Sequence, residues 1–337
     1  MRELSFFDRG VYILNLICGA LLLLSCLAPY ISVKTFLPLA FLSLFFPLIF
    51  IINIPFIFYW SFRKKKIFIL SFSAVLISYF TFGSFWRIGS SNVNHENEDL
   101  KIMTYNTRDL SFNGRAKVES TGNKIINFII EQDPDIICFQ EFNRRVLRQL
   151  KTYPYKYITP YTAQKSTQAI LSKYPIVGNG SLEFPETLNN AIYADIKYKG
   201  DTIRVYNLHF QSFNVSPSRV KSVRRVFRAY GKMKKTFVKH EEQLQIFDNH
   251  RKESPLRQIV CGDFNNTPFS NFYRNLKGEM QDTFDEKGTG FGKTFDIKVV
   301  PFRIDFILGD KTMQVMTHQN FDLKLSDHYP VLTSIRL

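Results

Sequence analysis

The chain has 337 residues, enough for one large domain plus an appendage. Its formal net charge is +15, of which residues 1–90 contribute eight basic and two acidic groups, leaving +9 on the remainder. That basic remainder is compatible with anionic partners (nucleic acid, phospholipid headgroups or small phosphates), and equally with plain solubility. Four cysteines lack any zinc-type spacing, which excludes a cysteine-built metal module.

The chain opens with three segments free of charge: Gly10 to Val33, Thr35 to Phe62 and Ile67 to Trp86. Each reaches the ~20 apolar residues that a helix needs to cross a bilayer. Lipid cannot satisfy exposed backbone groups, so each segment is expected to be helical. Pro47 and Pro55 predict kinks or breaks in the second. The alternative, a cleaved signal peptide followed by core helices, fits the long first segment and its two successors less well. With three crossings, Arg2, Arg9 and the Arg63 to Lys66 run lie on one side, against Lys34 and Arg87 on the other. The positive-inside rule then puts the N-terminus in and the C-terminal part outside the cytoplasm, at a bacterial inner membrane. A two-crossing arrangement with one run re-entrant would reverse this. The expected division is a membrane region over 1–89, a polar linker over 90–100 around "SSNVNHENEDL", and a globule over 101–337.

From Lys101 onward, short apolar runs alternate with amphipathic stretches. "LKIMTYNTR" and "PDIICFQE" read as strands, with a helix between them from Ile125, Phe128 and Ile129. "TQAILSKYPIV", "NAIYADIKYKG" and "DTIRVYNLHFQ" read as sheet strands, and the Lys-Gly-Asp joining the last two is a hairpin signal. A long helical stretch follows, "SRVKSVRRVFRAYGKMKKTFVKH". Val220, Val223, Phe227 and Tyr230 recur there at helical spacing, with Phe237 farther on, among many basic residues. It reads either as a solvated basic face or as a surface for phosphates, with Arg224, Arg225 and Arg228 as candidate contacts. "RQIVCGDFN", "FRIDFILGD" and "YPVLTSIRL" complete an α/β domain rich in strands. Cys18, Cys26, Cys138 and Cys261 read as small buried residues, with a Cys138–Cys261 disulfide open if the domain is extracytoplasmic.

The polar residues share one habit: they terminate or follow apolar strands. Asn106 follows "IMTY", Glu141 follows "IICFQ" and His209 follows "VYNL". Asp263 and Asn265 follow "IVCG", Asp305 sits in "FRIDFIL", and Asp327-His328 precede the last strand. Side-chain alternation puts Asp263 and Asn265 on one side and Phe264 toward the core. Gly262 reads as turning the chain at the rim. Taken singly, each polar residue is an ordinary turn or surface residue. Gathered at one rim, they bring carboxylates, amides and imidazoles together, and buried charges must be paired or metal-bound.

In that order, Asn106, Glu141, His209, Asp263-x-Asn265, Asp305 and Asp327-His328 resemble the endonuclease/exonuclease/phosphatase superfamily, over Lys101 to Leu337. The flanking text is similar to membrane-anchored bacterial members. The resemblance implies a four-layer α/β/β/α sandwich preceded by the transmembrane region, and metal-dependent phosphoester hydrolysis. Many relatives read Gly-Asp-Phe-Asn-Asp where this chain has Asn266, a position expected to support the loop. The resemblance implies Mg²⁺, with Mn²⁺ as the alternative, held by Glu141 with Asn106 and Asp327. It implies Asp263 as the group that orients and deprotonates water, and Asn265 as a fixed hydrogen bond to phosphate or water. His328 would contact phosphate, paired to Asp305, and His209 would face it from the other side. The sequence does not identify a group supporting His209. The substrate stays open between lipid headgroups or small phosphates and nucleic acid, with a catalytically inactive binding domain as a third reading. No protein partner is implied.

Overall fold

The computed structural model describes residues 4–83, 86–87, 99–112, 117–214, 222–297 and 300–337. The chain divides into two compact units, Met1–Phe85 with Asn266–Asn275, and Trp86–Asn265 with Leu276–Leu337. The expected linker lies outside the described residues except at its end, where Asp99 is buried and Leu100 already opens a strand.

Among the described residues, the N-terminal part of the first unit forms α1 (Phe6–Ser25, extended by a short 3₁₀ turn at Ala28–Tyr30), α2 (Leu37–Phe62) and α3 (Phe68–Phe82). Phe6–Tyr30 and Leu37–Phe62 are long and apolar enough to cross a membrane. The third differs from expectation. It has 15 residues, ending where Gly83 adopts a left-handed conformation. At ~1.5 Å per residue it falls short of the ~30 Å hydrocarbon layer. α2 runs unbroken through Pro47 and Pro55. The segment that follows Asn265 also belongs to this unit. Phe269 packs its ring against Phe46 and Phe82, with centroids 4.4 and 5.1 Å away. Thr267 Oγ1 donates to the Ser43 carbonyl at 3.0 Å, and Asn271 Nδ2 to the Pro29 carbonyl at 2.8 Å. The sequence places these residues inside the globule.

The second unit contains β1 (Leu100–Asn106), α4 (Val118–Gln132), β2 (Ile136–Gln140), β3 (Tyr155–Ile158), β4 (Ala169–Ser172), β5 (Ile176–Ser181), β6 (Asn190–Tyr198) and β7 (Asp201–His209). Then come α5 (Val223–Lys252), β8 (Arg257–Asp263), α6 (Asn271–Lys277, shared with the first unit), β9 (Gln281–Asp282), α7 (Thr283–Lys287), β10 (Asp305–Gly309), β11 (Gln314–Asn320) and β12 (Val331–Arg336). The strands form two six-stranded sheets, β11-β12-β1-β2-β4-β3 and β5-β6-β7-β8-β10-β9.

Alternation along the strands builds the layers. Leu100 and Ile102 of β1, Ile136 and Cys138 of β2, and Ile170 of β4 meet Ile203 and Val205 of β7, Ile259 and Cys261 of β8, and Ile307 of β10 between the sheets. The other parity faces outward: Met103, Tyr105, Ile137 and Phe139 pack on Ile125, Ile126 and Ile129 of α4. On the second sheet, Tyr206 packs edge-on against Phe247 of α5, centroids 5.1 Å apart. The result is the expected four-layer α/β/β/α sandwich. All four cysteines are free thiols, and Cys26, Cys138 and Cys261 are buried while Cys18 is half-buried.

The expected apolar face of α5 is only partly buried. Phe237 is enclosed, whereas Phe227 and Tyr230 remain 71% and 47% exposed. Val220 lies outside the described residues.

Candidate active site

The inner face of the sandwich changes chemistry along its length. Its apolar rows end in amides, where Gln140 Nε2 donates to Asn207 Oδ1 at 2.7 Å and to Thr104 Oγ1 at 3.0 Å. One inward position farther, the same rows end in Asn106, His209, Asp263 and Asp305. Strand register sets this. His209 pairs with Asp263 across β7–β8, and Asp305 with Asp263 across β10–β8. Register partners share a face of the sheet, so the three side chains form one row.

Gly262 allows β8 to reach that row. It lies inside the strand, not in a turn, at φ +136, and a Cβ there would sit 2.0 Å from the Leu208 carbonyl oxygen. Any side chain would push β8 off β7 just beside Asp263.

Asp263 is the hub. Asn106 Nδ2 donates to its Oδ2 at 3.0 Å, and the backbone N–H of Asn265 donates to its Oδ1 at 2.8 Å. His209 Nε2 and His328 Nε2 each lie 3.7 Å from Oδ2. His328 Nδ1 sits 3.0 Å from Asp305 Oδ2. The loop carrying His328 is tied down by Ser326, whose hydroxyl donates to the Asn106 carbonyl at 2.8 Å. Thr294 Oγ1 accepts the N–H groups of Ile304 and Asp305 at 2.9 and 3.0 Å, fixing the start of β10. Thr294 was not singled out from the sequence, because a threonine acting through its neighbours' backbone leaves no pattern.

These contacts set the protonation states. Burial alone would lower the His328 pKa, but the Asp305 and Asp263 carboxylates override it and hold it at about 10, so the ring is a cation at neutral pH. Burial raises Asp263 to about 7, a rise opposed by His328 and reinforced by Asp305. His209 is pushed down to about 3 by burial and by the positive His328, and is therefore neutral. Its Nδ1 is buried without a hydrogen-bond partner. The supporting group that the sequence did not identify is not found among the described residues.

One expectation needs correcting. Asn265 does not share a face with Asp263 through strand alternation. β8 ends at Asp263, and Asn265 turns to φ 48. Its amide donates to the Phe210 carbonyl at 3.0 Å, so it clamps the β7 exit to the β8 exit. Asn106 lies in the cluster as expected, its Oδ1 accepting the Arg108 N–H at 3.0 Å while its Nδ2 holds Asp263. Phe264 is buried as expected, stacked on Phe306 with centroids 4.8 Å apart. Asn266 is buried, and its Oδ1 accepts the Thr267 N–H at 2.9 Å.

Glu141 follows β2 at φ 47, and its Oε1 lies 3.8 Å from His209 Nε2. Burial raises its pKa; His328 and the Asn106 amide oppose that rise, while the nearby Asp327 adds to it. Glu141 and Asp327, with the Asn106 amide near them, offer oxygen donors whose mutual repulsion a hard divalent cation relieves. Arg108 pairs with Asp327 at the same place. Asp263, Asp305 and His328 also offer ligand atoms within 4.8 Å of one another. There, however, the His328 cation already compensates the carboxylates, so the set around Glu141 fits a cation better. Arg224, Arg225 and Arg228 lie on the exposed first turns of α5, and the strand-end cluster is built without them.

A model of the endonuclease/exonuclease/phosphatase family matches residues 89–328, and a domain of unknown function (DUF8431) matches residues 8–85. No curated protein matches the chain. Among solved structures, an endonuclease/exonuclease/phosphatase from Bacteroides vulgatus is 20% identical, with a TM-score of 0.55, over 71% of this chain and 99% of that one. D. rerio TDP2 complexed with a single-strand DNA product is 15% identical, with a TM-score of 0.53, over 72% and 100%. The human Nocturnin catalytic domain with bound sulfate is 18% identical, with a TM-score of 0.52, over 71% and 95%.

Proposed function

Since the chain belongs to the endonuclease/exonuclease/phosphatase family and is thereby a metal-dependent hydrolase of phosphoester bonds, we propose that it is a membrane-tethered, Mg²⁺-dependent phosphoesterase acting on lipid headgroups or small phosphates. The row His209–Asp263–Asp305, closed by His328, carries this reading. It presents a carboxylate able to take a proton at neutral pH beside an imidazolium able to hold an anion.

Asp263 orients water and accepts its proton, with Asn106 fixing the carboxylate from one side. His328, held charged by Asp305, faces the phosphate oxygens as charge builds on them. His209 is neutral, and it contributes an Nε2–H hydrogen bond from the opposite strand. Glu141, Asn106 and Asp327 would hold the cation, with Arg108 released from Asp327. When bound there, a divalent cation supplies charge neutralisation at the phosphate and the departing oxygen.

Two helices long enough to cross a bilayer support tethering, which raises the local concentration of surface substrates. With the two long helices alone as crossings, the N-terminus, the Arg63 to Lys66 run and the catalytic unit share one side, which the positive-inside rule makes cytoplasmic; a catalytic unit outside a bacterial inner membrane requires Phe68–Phe82 to cross as well.

The test is a panel of plasmid DNA, RNA, phosphatidylinositol, sphingomyelin and bis(4-nitrophenyl) phosphate, with Mg²⁺ and then with chelator. Chelator-sensitive cleavage of a lipid headgroup or of the small diester is expected. Cleavage of DNA or RNA alone would replace this reading with a nuclease. Silence throughout, with no metal bound by calorimetry, would leave a binding domain.

A further inference from the structure

The chain leaving β7 is pinned directly beside the active site. Phe210 N–H donates to the Asp263 carbonyl at 3.0 Å, and the Phe210 carbonyl accepts from Asn265. The next residue, Gln211, donates its N–H to Gln243 Oε1 at 2.9 Å, and His240 Nε2 lies 2.7 Å from its carbonyl. Gln243 and His240 are buried residues of α5, so the β7 exit and the helix are held in fixed relation.

Where this stretch faces α5 the surface opens into a cavity of about 290 Å³. Gln211, Ser212 and Asn214 line one wall, and Lys232, Lys235 and Lys239 the other. The lysines recur at intervals of three and four, which stacks them on one face of the helix. Lys239 has acidic neighbours, Glu242 at 3.1 Å and Glu186 at 3.7 Å. Among the described residues, Lys232 and Lys235 have no carboxylate partner. Like charges on adjacent turns oppose one another, and an anion between them removes that cost. The floor begins at Gln211, two residues beyond His209, a span of at most about 7 Å. One wall of the cavity is thus continuous with the strand end that carries His209 and, through Phe210, bonds to Asp263.

We propose that this cavity is a second anion subsite, taking a phosphate that the substrate carries in addition to the one cleaved. The inference rests on the hydrolase reading and narrows it to bisphosphorylated substrates. It gives the basic stretch of α5 a function, assigned to its lysines.

Two substrate pairs, each differing by one phosphate, test it on the full-length chain. One is thymidine 5′-(4-nitrophenyl phosphate) with and without a 3′-phosphate. The other is glycerophosphoinositol with and without a 4-phosphate. The extra phosphate should raise kcat/KM by about tenfold or more in at least one pair, through KM, the worth of one charge-assisted contact. Replacing Lys232→Ala and Lys235→Ala together, both exposed, should erase that preference and leave the singly phosphorylated members unchanged. Preference in the nucleotide pair assigns the second phosphate to a nucleotide, and preference in the inositol pair to a lipid headgroup. No preference in either pair, or an equal loss on both members, overturns the proposal. Titration of inorganic pyrophosphate by calorimetry, with chelator present, separates the two levels. If no ester is cleaved the hydrolase reading fails, yet weaker pyrophosphate binding by the double variant still upholds the subsite. Unchanged pyrophosphate binding overturns it.

Discussion

In the helical unit, Asn15, Asn53 and Ser71 are buried among apolar helices and bond to one another and to backbone. Ser71 donates to Asn53 Oδ1 at 3.1 Å and pairs with Asn15, while Asn53 Nδ2 reaches the Cys18 and Ile49 carbonyls at 3.1 and 2.9 Å. In the strand-rich unit, Asp263, Asp305 and His328 are also buried but are ionisable. Burial raises the Asp263 pKa, the facing carboxylates raise that of His328, and His209 beside them keeps an unpartnered nitrogen. Neutral groups bonded across helices hold them together, and there too one atom, Asn15 Nδ2, is buried without a partner. Ionisable groups buried together at a strand-end rim are poised for a ligand, and the cost of keeping them there is tolerated where chemistry needs it.

This contrast can be broken experimentally, beginning with its strongest consequence. Asp263→Asn should cut turnover of bis(4-nitrophenyl) phosphate by roughly a thousandfold, about 4 kcal/mol in the barrier, while circular dichroism stays native. Phe269→Ala should act on the other unit, destabilising it by about 3 kcal/mol through the cavity left between Phe46 and Phe82. Turnover falling while the melting temperature stays unchanged would show that Phe269 is not a packing residue.

Asp305→Asn should lower kcat by some tens of fold and also change the pH dependence of stability, read as Tm with chelator present. His328 has a folded pKa raised from 6.5 to about 10. Its stabilisation is therefore complete below 6.5 and is lost as pH rises through about 10. The wild type should lose Tm across that window, and Asp305→Asn should lose less. An identical slope in both would remove Asp305 as the group that charges His328. The smallest effect belongs to Ser71→Ala, about 1 kcal/mol of helical-unit stability with kcat unchanged.

The strand-end residues were legible because inward alternation is a sequence property. Asp263 and Asp305 continue an apolar row by one inward step, and Asn106 and His209 by two, beyond Thr104 and Asn207. Asn265 misled because alternation holds only while the strand lasts, and β8 stops at Asp263. β11 and β3 were missed because "QVMTHQN" and "YKYI" are half-exposed edge strands with no continuous apolar run. The grouping of residues 266–275 with the helices rests on contacts such as Thr267 with Ser43, separated by 224 positions. Nothing local encodes such a contact. The third apolar segment has the composition of a span, but Gly83 ends its helix at Phe82.

The most direct test of the central claim is steady-state hydrolysis of bis(4-nitrophenyl) phosphate by the purified full-length chain with Mg²⁺, wild type against Asp263→Asn. The strand-end cluster predicts chelator-sensitive turnover in the wild type and near-complete loss in the variant at unchanged Tm. Equal turnover by the two proteins would contradict it.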